Sequence, residues 1–231
     1  MSESAPAREA AVAPRARLSR ELVLDGAVLL ADRDGLGGLS MRNLAHEIGS
    51  EAMSLYHYIP NKDELLTGMM DRVLDEMSPC AAAADWRASV KAAMVSRRAV
   101  LLRHPWAADL QLHGLRLTPS RLRHMEALLA TLHGGGFSGA LADHAYHAID
   151  ISVLGWSLWE ARFDALTRTA PADMAEAALA AIPRDAWPEA AGHLEFHLHP
   201  PEGPRVSTFD LSLDLLLDGL ERLRLETSTP R

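Results

Sequence analysis

"LSMRNLAHEIGSEAMSLYHYIPNKDELL", residues 39–66, decides the fold. Ala45 lies four residues after Met41, Gly49 four after Ala45 and Leu55 six after Gly49, while Leu44 and Ile48 fill the inner face. Two short helices joined by a tight turn need this spacing. Ala45 is small where the second helix crosses above it, Gly49 can take the positive φ that ends the first helix, and Leu55 anchors the second helix to the shared core. The pattern predicts a helix-turn-helix. In that arrangement the second helix lies in the DNA major groove with its N-terminal part against base edges. Glu51, Ala52, Met53, Ser54, His57 and Tyr58 are then the candidate reading residues, which explains polar and aromatic side chains where a core would want aliphatic ones. Ala52 and Met53 offer no bidentate hydrogen bonds, so they suit thymine methyls better than guanine edges.

Backbone contacts fix register, whereas base contacts specify sequence. Asn61 followed by Glu64 has the capping-box pattern of a new helix, whose N-terminal amides suit a phosphate, and Lys62 adds a full charge there. Tyr56 can donate a phenol hydrogen bond to the next phosphate. Ser40, at another helix start, and Arg42 in the same first turn can hold the opposite strand.

Working outward, residues 1–17 are rich in Ala, Pro and Arg without apolar periodicity and read as a flexible tail. Ser19 caps a helix with Val23, Ala27 and Leu30 on one face, stopped at Gly35 to Gly38. Downstream, Leu65, Met69, Val73 and Met77 form one stripe and Leu66, Met70 and Leu74 another, as expected of a helix between two bodies. A further helix carries Trp86, Val90, Met94 and Leu101 and closes at His104-Pro105, and others are expected near 106–112, 119–132, 139–163, 171–182 and 207–225, with no strand-like alternation of useful length. The expected fold is all-α. Residues 18–63 form a three-helix helix-turn-helix domain, 64–78 a connecting helix, and 79–231 a larger helical ligand-binding and dimerisation domain.

Composition agrees. With 231 residues and 48% hydrophobic content the chain can bury a sizeable core. Cys80 is the single cysteine, which excludes an intrachain disulfide and fits a cytoplasmic location. No apolar run is long enough to cross a bilayer, so no membrane is expected. The net charge of −8 argues against a uniformly basic nucleic-acid coat but not against a local reading surface.

Residues 18–77 resemble the DNA-binding domain of the tetracycline-repressor family of transcriptional regulators, through "LSRELVLDGAVLLADRDGLGGLSMRNLAHEIG", "SLYHYIPNKDELL" and the helix that follows. The resemblance implies that Ser54, Tyr56 and Lys62 occupy the family's DNA-contacting hydroxyl, aromatic and lysine positions, with Ala52, Met53, His57 and Tyr58 at its variable reading positions. "DWR...LLRHPW" and "FDLSLDLLLDGLERL" are similar to the opening and final helices of that family's C-terminal domain. Autoregulation and control of a neighbouring transporter or enzyme are further implications.

The larger half carries two expectations of its own. Phe209, Leu213, Leu216, Leu220 and Leu223 recur at 4-3-4-3 spacing, and Ala148, Ser152 and Gly155 form a row of small residues; together they predict a four-helix interface between two copies. A homodimer reads two half-sites, so the partner is a pseudo-palindromic double-stranded operator. Trp106, Met125, Leu129, Trp156, Trp159 and Phe163 are candidates for an apolar cavity, with His144, His147 and Asp150 as polar handles, and its occupant would be an apolar or aromatic small-molecule effector.

Enzyme chemistry has little to stand on. His144 with His147, and His193 with His197 and His199, allow a metal-using or small-molecule-binding enzyme as an alternative, but no HExxH, glycine-rich phosphate loop or Gly-x-Ser-x-Gly elbow accompanies them. No metal and no cofactor are expected. A constitutive DNA-binding protein is the other alternative, and it leaves the large second half without a purpose.

Overall fold

A computed structural model describes residues 17–112, 116–169, 172–199 and 207–228. The tail read at residues 1–17 therefore falls outside the described residues except for Arg17. Among the described residues the chain is all-helical: α1 Arg20–Gly38, α2 Met41–Glu47, α3 Ala52–Leu55, α4 Lys62–Asp75, α5 Trp86–Arg103, α6 Pro105–Leu112, α7 Pro119–Gly134, α8 Gly139–Thr169, α9 Ala172–Ala180, α10 Pro188–Leu198 and α11 Thr208–Ser228. No described helix is long and apolar enough to cross a membrane.

Side-chain caps set the helix starts in the first part of the chain. Ser19 Oγ accepts from Leu22 N, Ser40 Oγ from Asn43 N and Asn61 Oδ1 from Glu64 N. The first helix breaks at Gly35, whose φ is 69°, and α2 ends at Gly49, with φ 66°, as the turn requires. The capping box at Asn61 is only half made, because the Glu64 carboxylate turns away to pair with Arg116.

Two buried clusters organise the molecule. One joins α1–α4 to the end of α5, to α6 and to Leu154 of α8; the other joins α5, α7, α8 and α11. Close helix approach underlies the first: a Cβ on Gly26 would lie 2.4 Å from Ile48 Cγ2, and one on Gly68 2.6 Å from Leu24 Cδ2. Glycine lets α2 and α4 lie against α1.

The final helix corrects an expectation. Phe209, Leu213 and Leu220, with Leu217, are buried in this chain's own second cluster, and Leu216 is half-buried against it; of the 4-3-4-3 row only Leu223 is exposed. The inward row of α11 is thus 209, 213, 217 and 220, and the side chains turned to solvent include Leu211 and Leu215. Helix α10, which the sequence left as a histidine-rich segment, opens on Pro188 and buries Ala191.

Candidate nucleic-acid interface and effector cavity

The turn and second helix of the helix-turn-helix are held from beneath. Leu55 is 0% and Ile59 1% exposed, and between them the chain has no freedom to bury its outer side chains. Met53 is consequently 75% exposed, Tyr56 44% and Tyr58 37%, with Glu51 and His57 exposed and Ala52 and Ser54 half-exposed beside them. Lys62, at the first turn of α4, is exposed, as are Ser40 and Arg42 at the start of α2. Ser40 spends its oxygen as a cap and keeps its hydroxyl hydrogen to donate. Arg33 forks onto Glu47, at 2.9 and 3.1 Å, and ties the end of α1 to α2.

From this head α4 runs into the larger half, and side chains grip it along its length. Asp71 accepts from Thr118, Asp75 from Ser120 at 2.8 Å and Arg123 at 3.1 Å, and the Leu74 carbonyl from His124 Nε2 at 2.9 Å. Burial pushes the Asp71 carboxyl upward and the His124 imidazole downward. On the other side Glu76, just past α4, meets Arg103 at 2.5 Å and His104 Nε2 at 3.3 Å, while His104 Nδ1 reaches Asp32 of α1 at 2.8 Å. Trp106 Nε1 donates to the same Asp32 oxygen at 2.7 Å. Trp106 is therefore a buried tie between α6 and α1, not a cavity wall, because its indole N–H needs an acceptor and finds one there.

The cavity lies beside the C-terminal end of α4. Leu74, Met77, Met94, Met125 and Leu128 supply apolar wall; Arg97, Gln111, Arg121, His124, Tyr146 and Asp150 supply polar groups. Cys80 also lines it, its thiol pushed up to about 11 by burial and so held protonated. The free space is about 50 Å³, room for a few waters and far below the size of a drug-like ligand site.

Of the residues expected here, Met125 and Asp150 are in place. Leu129 is half-buried outside the lining. His144 and His147 are exposed, His147 lying 3.7 Å from Asp143. Trp156 and Trp159 belong instead to a shallow apolar surface on α8 with Ile151, Ser152 and Gly155; Trp159 stacks on Phe163 at 5.1 Å. Ala148 is half-buried on the same helix. On α10, His193 and His197 lie ring to ring at 4.6 Å, and His199, just beyond, pairs with Glu176 at 3.0 Å. No group of three or more His, Cys, Asp or Glu that can hold a metal occurs among the described residues.

The sequence did signal the missed cavity residues. Arg97 falls in line with Val90, Met94 and Leu101, all three buried, and His124 precedes the buried Leu128 by one turn. A polar residue on an apolar stripe has to meet a partner or a ligand.

A docked helix-turn-helix head carried on a helix that also walls a cavity defines a helix-turn-helix transcriptional regulator. The chain belongs to the tetracycline-repressor family: residues 23–69 match its "Bacterial regulatory proteins, tetR family" domain and residues 78–224 its "Tetracyclin repressor-like, C-terminal domain". It is a family of transcriptional regulators, not of enzymes. The HTH-type transcriptional repressor DrrR1 of Streptomyces coeruleorubidus is 35% identical over 216 residues, 91% of this chain and 80% of that one. Among solved structures, apo ActR from Streptomyces coelicolor is 28% identical with a TM-score of 0.73, over 94% of this chain and all (100%) of that one. ActR in complex with actinorhodin is 27% identical with a TM-score of 0.71, over 90% and 99% of the two chains.

Proposed function

We propose that the protein is an effector-released repressor, which binds a pseudo-palindromic operator as a homodimer and leaves it when an apolar, aromatic compound fills the cavity. One observation carries this reading: Leu74, in the last turn of the helix whose start presents Lys62, and Met77, two residues past its end, form part of the cavity wall. With about 50 Å³ free, no such compound enters without moving a wall. Displacing α7 from α4 loosens the Ser120, Arg123 and His124 contacts and lets α4 tilt with the head it carries. ActR, similar in sequence and fold, is known in complex with actinorhodin, which supports a small-molecule effector.

A geometric argument supports dimerisation. One recognition helix reads too few base pairs for useful specificity, while a two-fold dimer places two at half-sites ~34–36 Å apart. The row on α8 formed by the exposed Ile151, Gly155 and Trp159 with the half-buried Ser152, and the exposed Leu211 and Leu215 of α11, are the surfaces we assign to the partner subunit. In the bound dimer Ser40, Arg42, Tyr56 and Lys62 hold phosphates, and Glu51, Ala52, Met53, Ser54, His57 and Tyr58 face the bases. A compound that binds the DNA-incompetent conformer ~100-fold more tightly supplies ~2.7 kcal/mol, enough to release operator when the conformers are closely balanced. The protein acts in the cytoplasm, where its operator is.

Gel shift at fixed salt with duplexes from the chain's own upstream DNA tests this. The expected result is one preferred duplex, two chains bound per duplex, and release by a small molecule, with actinorhodin as the first probe. Comparable binding to arbitrary duplexes would instead make it an architectural protein.

A further inference from the structure

The chain draws its positive charge almost wholly from arginine. Of its 23 lysines and arginines only two, Lys62 and Lys91, are lysines. The difference is chemical: a guanidinium stays protonated and does not acylate, whereas an amine that has given a proton to water is a nucleophile. Among these cationic side chains only the two lysines can lose their charge to an acyl group.

The two stand in opposite surroundings. Lys91 of α5 is half-buried, and its Nζ lies 2.7 and 2.8 Å from the two carboxylate oxygens of Asp214 on α11. To react it would have to leave that carboxylate. Lys62 is exposed, and its side chain makes no hydrogen bond or ion pair with any other described residue. Asp63 and Glu64 follow it in the chain, yet neither pairs with it, and Glu64 is held by Arg116. The amine open to reaction is therefore the one assigned to the DNA backbone. Arg42, assigned to the same task, cannot be discharged in this way.

We propose that Lys62 is an acylation switch: a small acyl phosphate transfers its acyl group to Nζ and lowers affinity for DNA, which gives the regulator a second input separate from the cavity. The neutral amine attacks the acyl carbonyl carbon. The C–N bond forms as the C–O bond to phosphate breaks, phosphate leaves with that electron pair, and the amine proton passes to water. A cationic ammonium has become a neutral amide, and its attraction to a DNA phosphate is lost. The inference rests on Lys62 meeting the DNA backbone in the proposed repressor.

The test treats the full chain with acetyl phosphate, reads each lysine by peptide mass spectrometry, and measures binding to a duplex from the chain's own upstream DNA at fixed salt. Lys62 is expected to be acetylated several-fold faster than Lys91, and saturating duplex to protect it. Full acetylation of Lys62 is expected to weaken duplex binding by about tenfold, through the loss of a phosphate contact in each head. Lys91→Arg leaves Lys62 as the sole lysine and should respond to acetyl phosphate as the native chain does. Lys62→Arg, whatever its own affinity, should bind duplex equally before and after treatment. Lys91 modified as fast as Lys62, no modification of Lys62, no protection by duplex, or a Lys62→Arg chain that loses binding on treatment would each overturn the proposal. A chain that binds no duplex before treatment refutes the repressor reading and the switch with it. One that binds before treatment and keeps full affinity after complete acetylation of Lys62 refutes the switch alone.

Discussion

The reading head and the larger half differ in where their unmet groups lie: on the head they include exposed side chains such as Leu29 and Met53, and in the larger half two buried donors of a cavity wall, Arg97 Nε and Gln111 Nε2. In the head, α1, α2 and α4 begin on side-chain caps, Arg33 locks α1 to α2, and glycines at 26 and 68 let α2 and α4 close on α1. In the larger half, two donors of the cavity wall lack acceptors, and Ile151 and Trp159 stand 61% and 49% exposed on α8. A rigid head can carry an exposed reading surface without changing shape. The larger half has unfinished surfaces, and those are where a ligand and a second subunit have something to gain.

Several substitutions break or sharpen that contrast. The largest effect belongs to the inward row of α11: Leu213→Glu puts a charge where the native side chain is 3% exposed and should remove ~4 kcal/mol or more, seen as a collapsed thermal melt. Ile151→Glu combined with Trp159→Glu should do the opposite, leaving the melt nearly intact while sedimentation reports monomers. Operator affinity should then fall by about two orders of magnitude as the second half-site is lost. A persistent dimer would move the subunit interface off this face of α8.

Gly26→Ala probes the head. Its new methyl meets Ile48 Cγ2 at 2.4 Å, so a loss of ~1–3 kcal/mol is expected, partly recovered when Ile48→Ala is added. Full stability of the single variant would mean that α1 and α2 can separate at no cost. The smallest effect is Lys62→Ala, which should weaken specific and non-specific duplexes alike and make the salt slope shallower by about one, without changing sequence preference. An unchanged slope would take Lys62 off the DNA backbone.

How much of this the sequence disclosed depends on the range of the forces involved. The head was legible because its rules are local: Ser19, Ser40 and Asn61 cap helices within three residues of themselves, and Gly49 is needed by its own φ. On α11 the periodicity identified an apolar helix but not what covers each side. Phe209, Leu213 and Leu220 turn inward, and only the tertiary packing distinguishes them from Leu211 and Leu215. Trp106 was read as a cavity wall because its acceptor, Asp32, lies 74 residues away. Of the polar groups that four helices bring to the cavity, Asp150 was read from the sequence, whereas Arg97, Gln111 and His124 stand on three other helices and only the tertiary packing brings them to one place.

The central claim is that α4 couples the cavity to the spacing of the two reading heads. Spin labels at His46→Cys in a Cys80→Ser background, exposed on α2 and away from the α8 surface, report that spacing by pulsed electron resonance. Bound to the operator duplex, the dimer should give one narrow distance distribution, set by half-sites about one helical turn apart. Saturation with actinorhodin should shift that distribution by several ångströms and broaden it as operator is released, on the order of one packing rearrangement. A distribution that stays the same with operator and with saturating, bound actinorhodin would contradict the account, because the compound would then bind without moving the helix that carries the head.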